Sequence, residues 1–114
     1  MMQIGEAAER TQLSLRTIRH YDQMGLVPPS GRTEGGFRLY TEADIQRLRH
    51  VQRITPLGFS LEETAEILEI LEGEAPGAKL QEYLSRAQAG REKLARKLRQ
   101  ADELIHQLQA CAAD

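Results

Sequence analysis

Four side chains within five residues carry the most directed chemistry in this chain: Arg16, Thr17, Arg19 and His20. Each donates hydrogen bonds. An arginine fork satisfies two acceptors in one plane, as the N7/O6 edge of guanine or a phosphate requires. Residues 1–60 hold eight Arg and no Lys against six acidic side chains, a balance of +2. Residues 61–114 hold seven basic and eleven acidic side chains, a balance of −4. Net charge is only −2, yet a basic N-terminal half joined to an acidic C-terminal half fits a polyanion partner gripped at one end. Chance segregation of surface charge would give the same balance.

Other chemistries lack their residues. There is no Gly-rich phosphate loop, no nucleophile–base motif and no metal-ligand cluster, so no catalysis, cofactor or bound metal is expected. Cys111 is the single cysteine; it cannot form an internal disulfide, in keeping with a reducing compartment. His106 lies five residues before it, the wrong offset for a shared helical face. His50 and His106 read as surface or satisfied groups. No run of 18 apolar residues exists, and MMQIGEAAER lacks the regions of a signal peptide, so a cytoplasmic location is expected.

The elements that must position the four side chains follow from periodicity and caps. Ile4, Ala7 and Ala8 are helically spaced, and Thr11-Gln12 breaks the pattern. Ser14 is a good N-cap for a second helix through Leu15, Ile18 and Tyr21, which must stop at Met24-Gly25 before Pro28-Pro29. Two short helices with a tight turn make a helix-turn-helix. Gly35-Gly36 supports a hairpin turn into a strand over residues 37–40, a wing. On it Arg38 and Tyr40 share one face, while Phe37 and Leu39 share the other and read as core. Thr41 caps a third helix to about Ile54, with core positions at Leu48 and Val51 and with Arg47, Arg49 and Arg53 solvated by default. Ser60 to Glu63 is a capping box for a fourth helix, whose buried stripe is Thr64, Ile67, Leu68 and Leu71. Ile18, Phe59 and Leu61 also read as packing.

Gly73 to Gly77, with Pro76, reads as a hinge, dividing a head (residues 1–72) from one long helix (78–114). Leu80, Leu84, Ala87, Leu94, Leu98, Ala101, Ile105 and Leu108 alternate spacings of four and three, a seam interrupted only by Arg91. Leu104 and Cys111 fall beside it. Such a helix spans roughly 50 Å, longer than the head could cover, so a two-chain coiled coil is expected over a helix folded back on its own domain. The predicted fold class is mainly α: a winged helix-turn-helix with a short β-hairpin wing, then a long C-terminal coiled-coil dimerisation helix.

These motifs, in this order, resemble the MerR family of transcriptional regulators. The resemblance rests on Ile4-Gly5-Glu6-Ala7-Ala8, Leu15 to Asp22, Gly25-Leu26-Val27-Pro28-Pro29, Gly36 to Tyr40 and Leu57 to Glu63, and it covers essentially the whole chain. Beside it, Arg16, Thr17, Arg19 and His20 occupy the first turns of the second helix, the part that meets base edges in such motifs. The resemblance implies that Arg38 and Tyr40 reach phosphates, with Arg32 adding a contact. For Tyr21 it implies a DNA-backbone contact, whereas the spacing from Ile18 also lets Tyr21 pack inward. It further implies a homodimer with antiparallel long helices, double-stranded promoter DNA and RNA polymerase as partners, a bacterial cytosolic setting, and regulation by bending and untwisting the promoter. Members that sense metals place a thiolate where this chain has Lys79-Leu80, and drug-sensing members carry a further domain after the long helix. The other reading of the residues is a helical protein-interaction adaptor without DNA binding.

Overall fold

Three side-chain oxygens set the starts of three helices. The computed structural model describes residues 1–74 and 77–113. Ser14 Oγ accepts the Thr17 N–H at 3.0 Å and opens α2 (Leu15–Gln23). Thr41 and Asp44 cap each other at the start of α3 (Glu42–Ile54), and Ser60 and Glu63 do the same for α4 (Leu61–Leu71). Losing such a cap costs about 0.5–2 kcal/mol. Before them α1 (Ile4–Thr11) ends on Gln12, held at φ +60°, which leaves a three-residue turn into α2. α2 ends at Met24, and Gly25 at φ +75° lets the Leu26 N–H return to the Tyr21 carbonyl at 2.9 Å.

The wing belongs to a three-stranded sheet. β1 (Met2–Gln3), β2 (Gly31–Arg32) and β3 (Arg38–Tyr40) run in the order β1-β3-β2, all antiparallel. Register pairs Met2 with Tyr40 and Arg32 with Arg38. At the tip the Gly36 N–H bonds to the Thr33 carbonyl at 2.9 Å, with Gly36 at φ +86°. β1 was not expected from the sequence.

The alternation on β3 is as expected, but its faces are reversed. Tyr40, expected to reach phosphate, is 0% exposed and belongs to the core with Ile18, Ile45 and Leu48. Phe37, expected in the core, is 67% exposed. The central strand turns its Tyr40 face to the helices, while the Met1 side chain and Leu39 meet over Gly31 on the other. Phe37 falls beyond the last strand pairing, where there is nothing to cover it. Leu61 and Leu71, expected to pack, are also exposed, whereas Thr64 and Leu68 are buried, so α4 presents a narrower stripe than its periodicity suggests.

Pro56 lies in a 3-10 turn (Thr55–Leu57) that closes at Gly58. Against it lies α5 (Leu80–Ala113), 34 residues long, about 51 Å at 1.5 Å per residue. Its first three turns pack on the head. Tyr83 meets Phe59 edge-on, ring centres 5.8 Å apart, and Gly90 lies so close to Leu57 that a Cβ there would sit 3.2 Å from the Leu57 carbonyl oxygen. The helix then runs free, with Leu94, Leu98, Ile105 and Leu108 exposed. The hinge expected at residues 73–77 includes Ala75 and Pro76, which lie outside the described residues, as does Asp114 at the end of the expected dimerisation segment. Among the described residues no helix is long and apolar enough to cross a membrane.

Candidate nucleic-acid interface

One face of α2 buries and the opposite face presents cations. Ile18 is fully buried and Tyr21 nearly so, at 8% exposed; Tyr21, expected to contact the DNA backbone, packs inward instead, the alternative that its spacing left open. Arg16, Arg19, His20 and Gln23 recur at helical spacing on the outer face and line one shallow depression. Thr17 is half-buried, and its hydroxyl accepts from Ser14 Oγ at 2.8 Å. It therefore serves the helix start as well as facing the groove beside His20.

The wing arginines stand beside this face and are tied to it. Arg38 Nε donates to Asp22 Oδ2 at 2.7 Å, and Arg32 Nη2 lies 3.7 Å from the same oxygen. Arg32 Nη1 also donates to the Gly36 carbonyl at 2.9 Å across the hairpin. Asp22, in the last turn of α2, thus joins helix to wing. The sequence reading passed over it; the signal was there, a lone acid in a helix otherwise rich in cations.

Tyr40 sits behind the wing rather than on it. Burial pushes its hydroxyl pKa above the usual tyrosine value, and the oxygen has no hydrogen-bond partner among the described residues. The expected phosphate contact of Tyr40 is therefore corrected: from this position its hydroxyl reaches only the interior. His50, expected at the surface or satisfied, has a buried Nδ1 likewise without a partner.

Of the remaining arginines of the head, three are fasteners; Arg49, expected to be solvated, donates to the Arg10 carbonyl at 3.2 Å. Arg47, expected to be solvated, donates from Nε to the Leu26 carbonyl at 2.6 Å and pairs with Glu72. Arg10 holds Glu42 through Nη2 at 2.8 Å, which raises the guanidinium pKa and lowers that of the carboxyl. Arg53 stays exposed near the 3-10 turn.

A second charged cluster joins head to long helix. Arg86 pairs with Glu63, Nη2 to Oε1 at 3.1 Å, and lies over the Phe59 ring. That hydrogen bond, helped by the Ser60 N–H, holds the Glu63 carboxyl down at about 2. The Tyr83 hydroxyl donates to Glu66, which pushes the phenol up to about 12. Apart from the Ser60–Glu63 cap, none of these partners is local, so none was visible as a pair in the sequence. The described residues hold no group of three or more His, Cys, Asp or Glu able to bind a metal, and Cys111 is exposed on α5.

Residues 2–70 match the model of the MerR HTH family of regulatory proteins, and residues 45–111 match the model described as MerR, DNA binding. The HTH-type transcriptional regulator ZntR of Escherichia coli (strain K12) is 47% identical over 70 residues, 61% of this chain and 50% of that protein. The chain spans about half the length of the curated relatives it matches. Among solved structures, the N-terminal part of MtaN, the Bacillus subtilis multidrug transporter activator, matches with TM-score 0.63 and 31% identity, covering 100% of both chains. HiNmlR, a regulator lacking the sensor domain and bound to promoter DNA, matches with TM-score 0.66 and 29% identity, covering 93% of this chain and 86% of that one.

Proposed function

Because the chain belongs to the MerR family of helix-turn-helix regulatory proteins, we propose that it is a sequence-specific DNA-binding transcriptional regulator, not an enzyme, acting as a homodimer on a pseudo-palindromic promoter. The observation that carries this is the outer face of α2, where Arg16, Arg19 and His20 stand exposed beside a wing whose Arg32 and Arg38 converge on Asp22. The α2 side chains are placed to read base edges in a major groove, and the wing arginines to hold the flanking phosphates. Thr17 adds a contact at the helix start. Tyr21 and Tyr40 act from behind, by packing.

Dimerisation is read from the exposed seam. Leu80, Leu84, Leu94, Leu98, Ile105 and Leu108 are uncovered, and with Ala87 and Ala101 they form a stripe that a second copy would bury. Antiparallel pairing would put one head at each end, each on a half-site. The further reading, again by family, is that the dimer bends and untwists a promoter to which RNA polymerase binds. The deformation would cost on the order of 1–10 kcal/mol, offset by added contacts. A cytoplasmic setting goes with that role. We keep the division into a head (residues 1–72), a hinge (73–77) and a dimerisation helix (78–114), with the first turns of α5 lying against the head as far as Gly90.

The test is DNA selection from a random duplex pool, followed by titration of the enriched duplex. Arg16→Ala and Arg19→Ala should each weaken binding by roughly 5- to 150-fold, since a bidentate arginine–guanine pair is worth about 1–3 kcal/mol. With about eight phosphate contacts per dimer the log–log salt slope should lie near −7. No enrichment favours the adaptor reading, whereas enrichment with a slope shallower than about −3 contradicts the wing contacts.

A further inference from the structure

We propose that Asp22 is a positioning residue for DNA recognition, locking the two wing arginines to the recognition helix so that the terminal nitrogens of Arg38 are pre-aimed at the DNA backbone. The inference rests on the DNA-binding reading above and extends it to a residue that would not itself touch DNA.

The placement of Asp22 is unfavourable by every local measure. It is the only acid in α2 and stands in its last turn, where the helix dipole disfavours negative charge. It also stands beside a surface proposed to meet phosphates, where a carboxylate repels the ligand. The compensation is geometric. Asp22 takes the Nε–H of Arg38 at 2.7 Å, with both side chains mostly buried at 16% and 24% exposed. Because Nε is the atom engaged, both terminal nitrogens of Arg38, the pair that grips phosphate oxygens, are left without a partner among the described residues. Arg32 is held from two sides, by the same carboxylate oxygen at 3.7 Å and by the Gly36 carbonyl at 2.9 Å. Arg32 and Arg38 are cross-strand partners, so one carboxylate fixes both strands of the hairpin against α2.

Two long flexible cations are thereby ordered before DNA arrives, and that ordering cost falls on folding rather than on binding. Because the carboxylate also lowers the local positive charge, it weakens sequence-independent attraction. The expected result is discrimination: a correctly seated site gains from rigid arginines, and any other duplex meets a less positive surface.

Charge and geometry predict opposite signs, which makes the test decisive. The full chain and its Asp22→Asn and Asp22→Glu variants are titrated against the duplex enriched by the wild type and against a scrambled duplex of equal length. If Asp22 acts only through its charge, Asp22→Asn tightens both duplexes in parallel; that outcome overturns the inference. If it positions the arginines, Asp22→Asn weakens the enriched duplex while the scrambled one holds or tightens, with a salt slope on the enriched duplex shallower by about one per arginine that loses its phosphate. Asp22→Glu keeps the charge and moves the carboxylate, so it should lose discrimination too; an unchanged ratio overturns the inference even if Asp22→Asn fails to fold. The Arg38 Nε–H resonance should be slow to exchange in the wild type and fast in both variants. A wild-type chain that enriches no duplex sinks the DNA-binding reading, and this inference with it.

Discussion

The guanidinium carbon of Arg86 lies 4.9 Å from the centre of the Phe59 ring, and the same group pairs with Glu63. One side chain of the long helix thus engages both an aromatic ring of the head and an acid of its fourth helix. The pairing has a pH signature. Glu63 is held from its ordinary 4.5 down to about 2, so the fold favours its ionised form, and that contribution is whole above about pH 4.5 and vanishes as pH falls toward 2. Glu63→Gln keeps an acceptor for the Ser60 cap but loses the charge. In urea titrations the wild type should exceed Glu63→Gln in stability at pH 6, with the gap closing toward pH 2; a gap independent of pH would rule the pair out.

Tyr40→Phe separates the two roles that its position allows. The hydroxyl is buried and has no partner among the described residues, and such a group costs about 1–3 kcal/mol. Removing it should leave stability unchanged or raise it by up to about 1 kcal/mol, with DNA affinity unaltered. A tenfold affinity loss would restore Tyr40 to the phosphate contacts. Tyr40→Ala, by contrast, should cost about 3–5 kcal/mol.

Gly90→Leu probes the approach of α5 to the head. Helix propensity alone would make leucine the better residue by roughly 0.5–1 kcal/mol. A Cβ there meets both Leu57 Cδ2 and the Leu57 carbonyl oxygen at 3.2 Å, and the backbone atom cannot swing aside. Overpacking of about 1–3 kcal/mol should win, so thermal melts should show net destabilisation. A stabilised variant would mean that helix and head are apart in solution.

Leu98→Arg tests the seam without touching the head. Leu98 is 63% exposed in the single chain, so the substitution costs an isolated protomer little. If a second copy covers it, association should weaken by about 2–5 kcal/mol per lost leucine. Sedimentation should then move from dimer to monomer at micromolar concentration.

What the sequence disclosed was what short-range chemistry dictates. Ser14, Thr41 and Ser60 each announce a helix start because the capping group and its target N–H lie within three residues. The long helix was equally plain. Alternation over Phe37 to Tyr40 defines two faces but does not say which one the helices cover, and so Phe37 and Tyr40 were exchanged. β1 is two residues long, too short for any period, and exists only because β3 offers it an edge. Arg47, Asp22 and Arg86 find partners 16 to 25 residues away, a choice made by packing after the elements form.

The 34-residue span of α5 also bears on how such a protein can drift over generations. With helices paired as proposed, insertions that respect the seam come in sevens, each adding about 10.5 Å. A turn of DNA advances about 34 Å. One inserted heptad therefore preserves the pairing but swings the distant head nearly a third of the way around the duplex. Only about three heptads together bring it back into phase, so the helix works as a ruler whose divisions do not match those of the object it measures. Operator spacing should accordingly be inherited with unusual constancy, even where the sequence of α5 wanders.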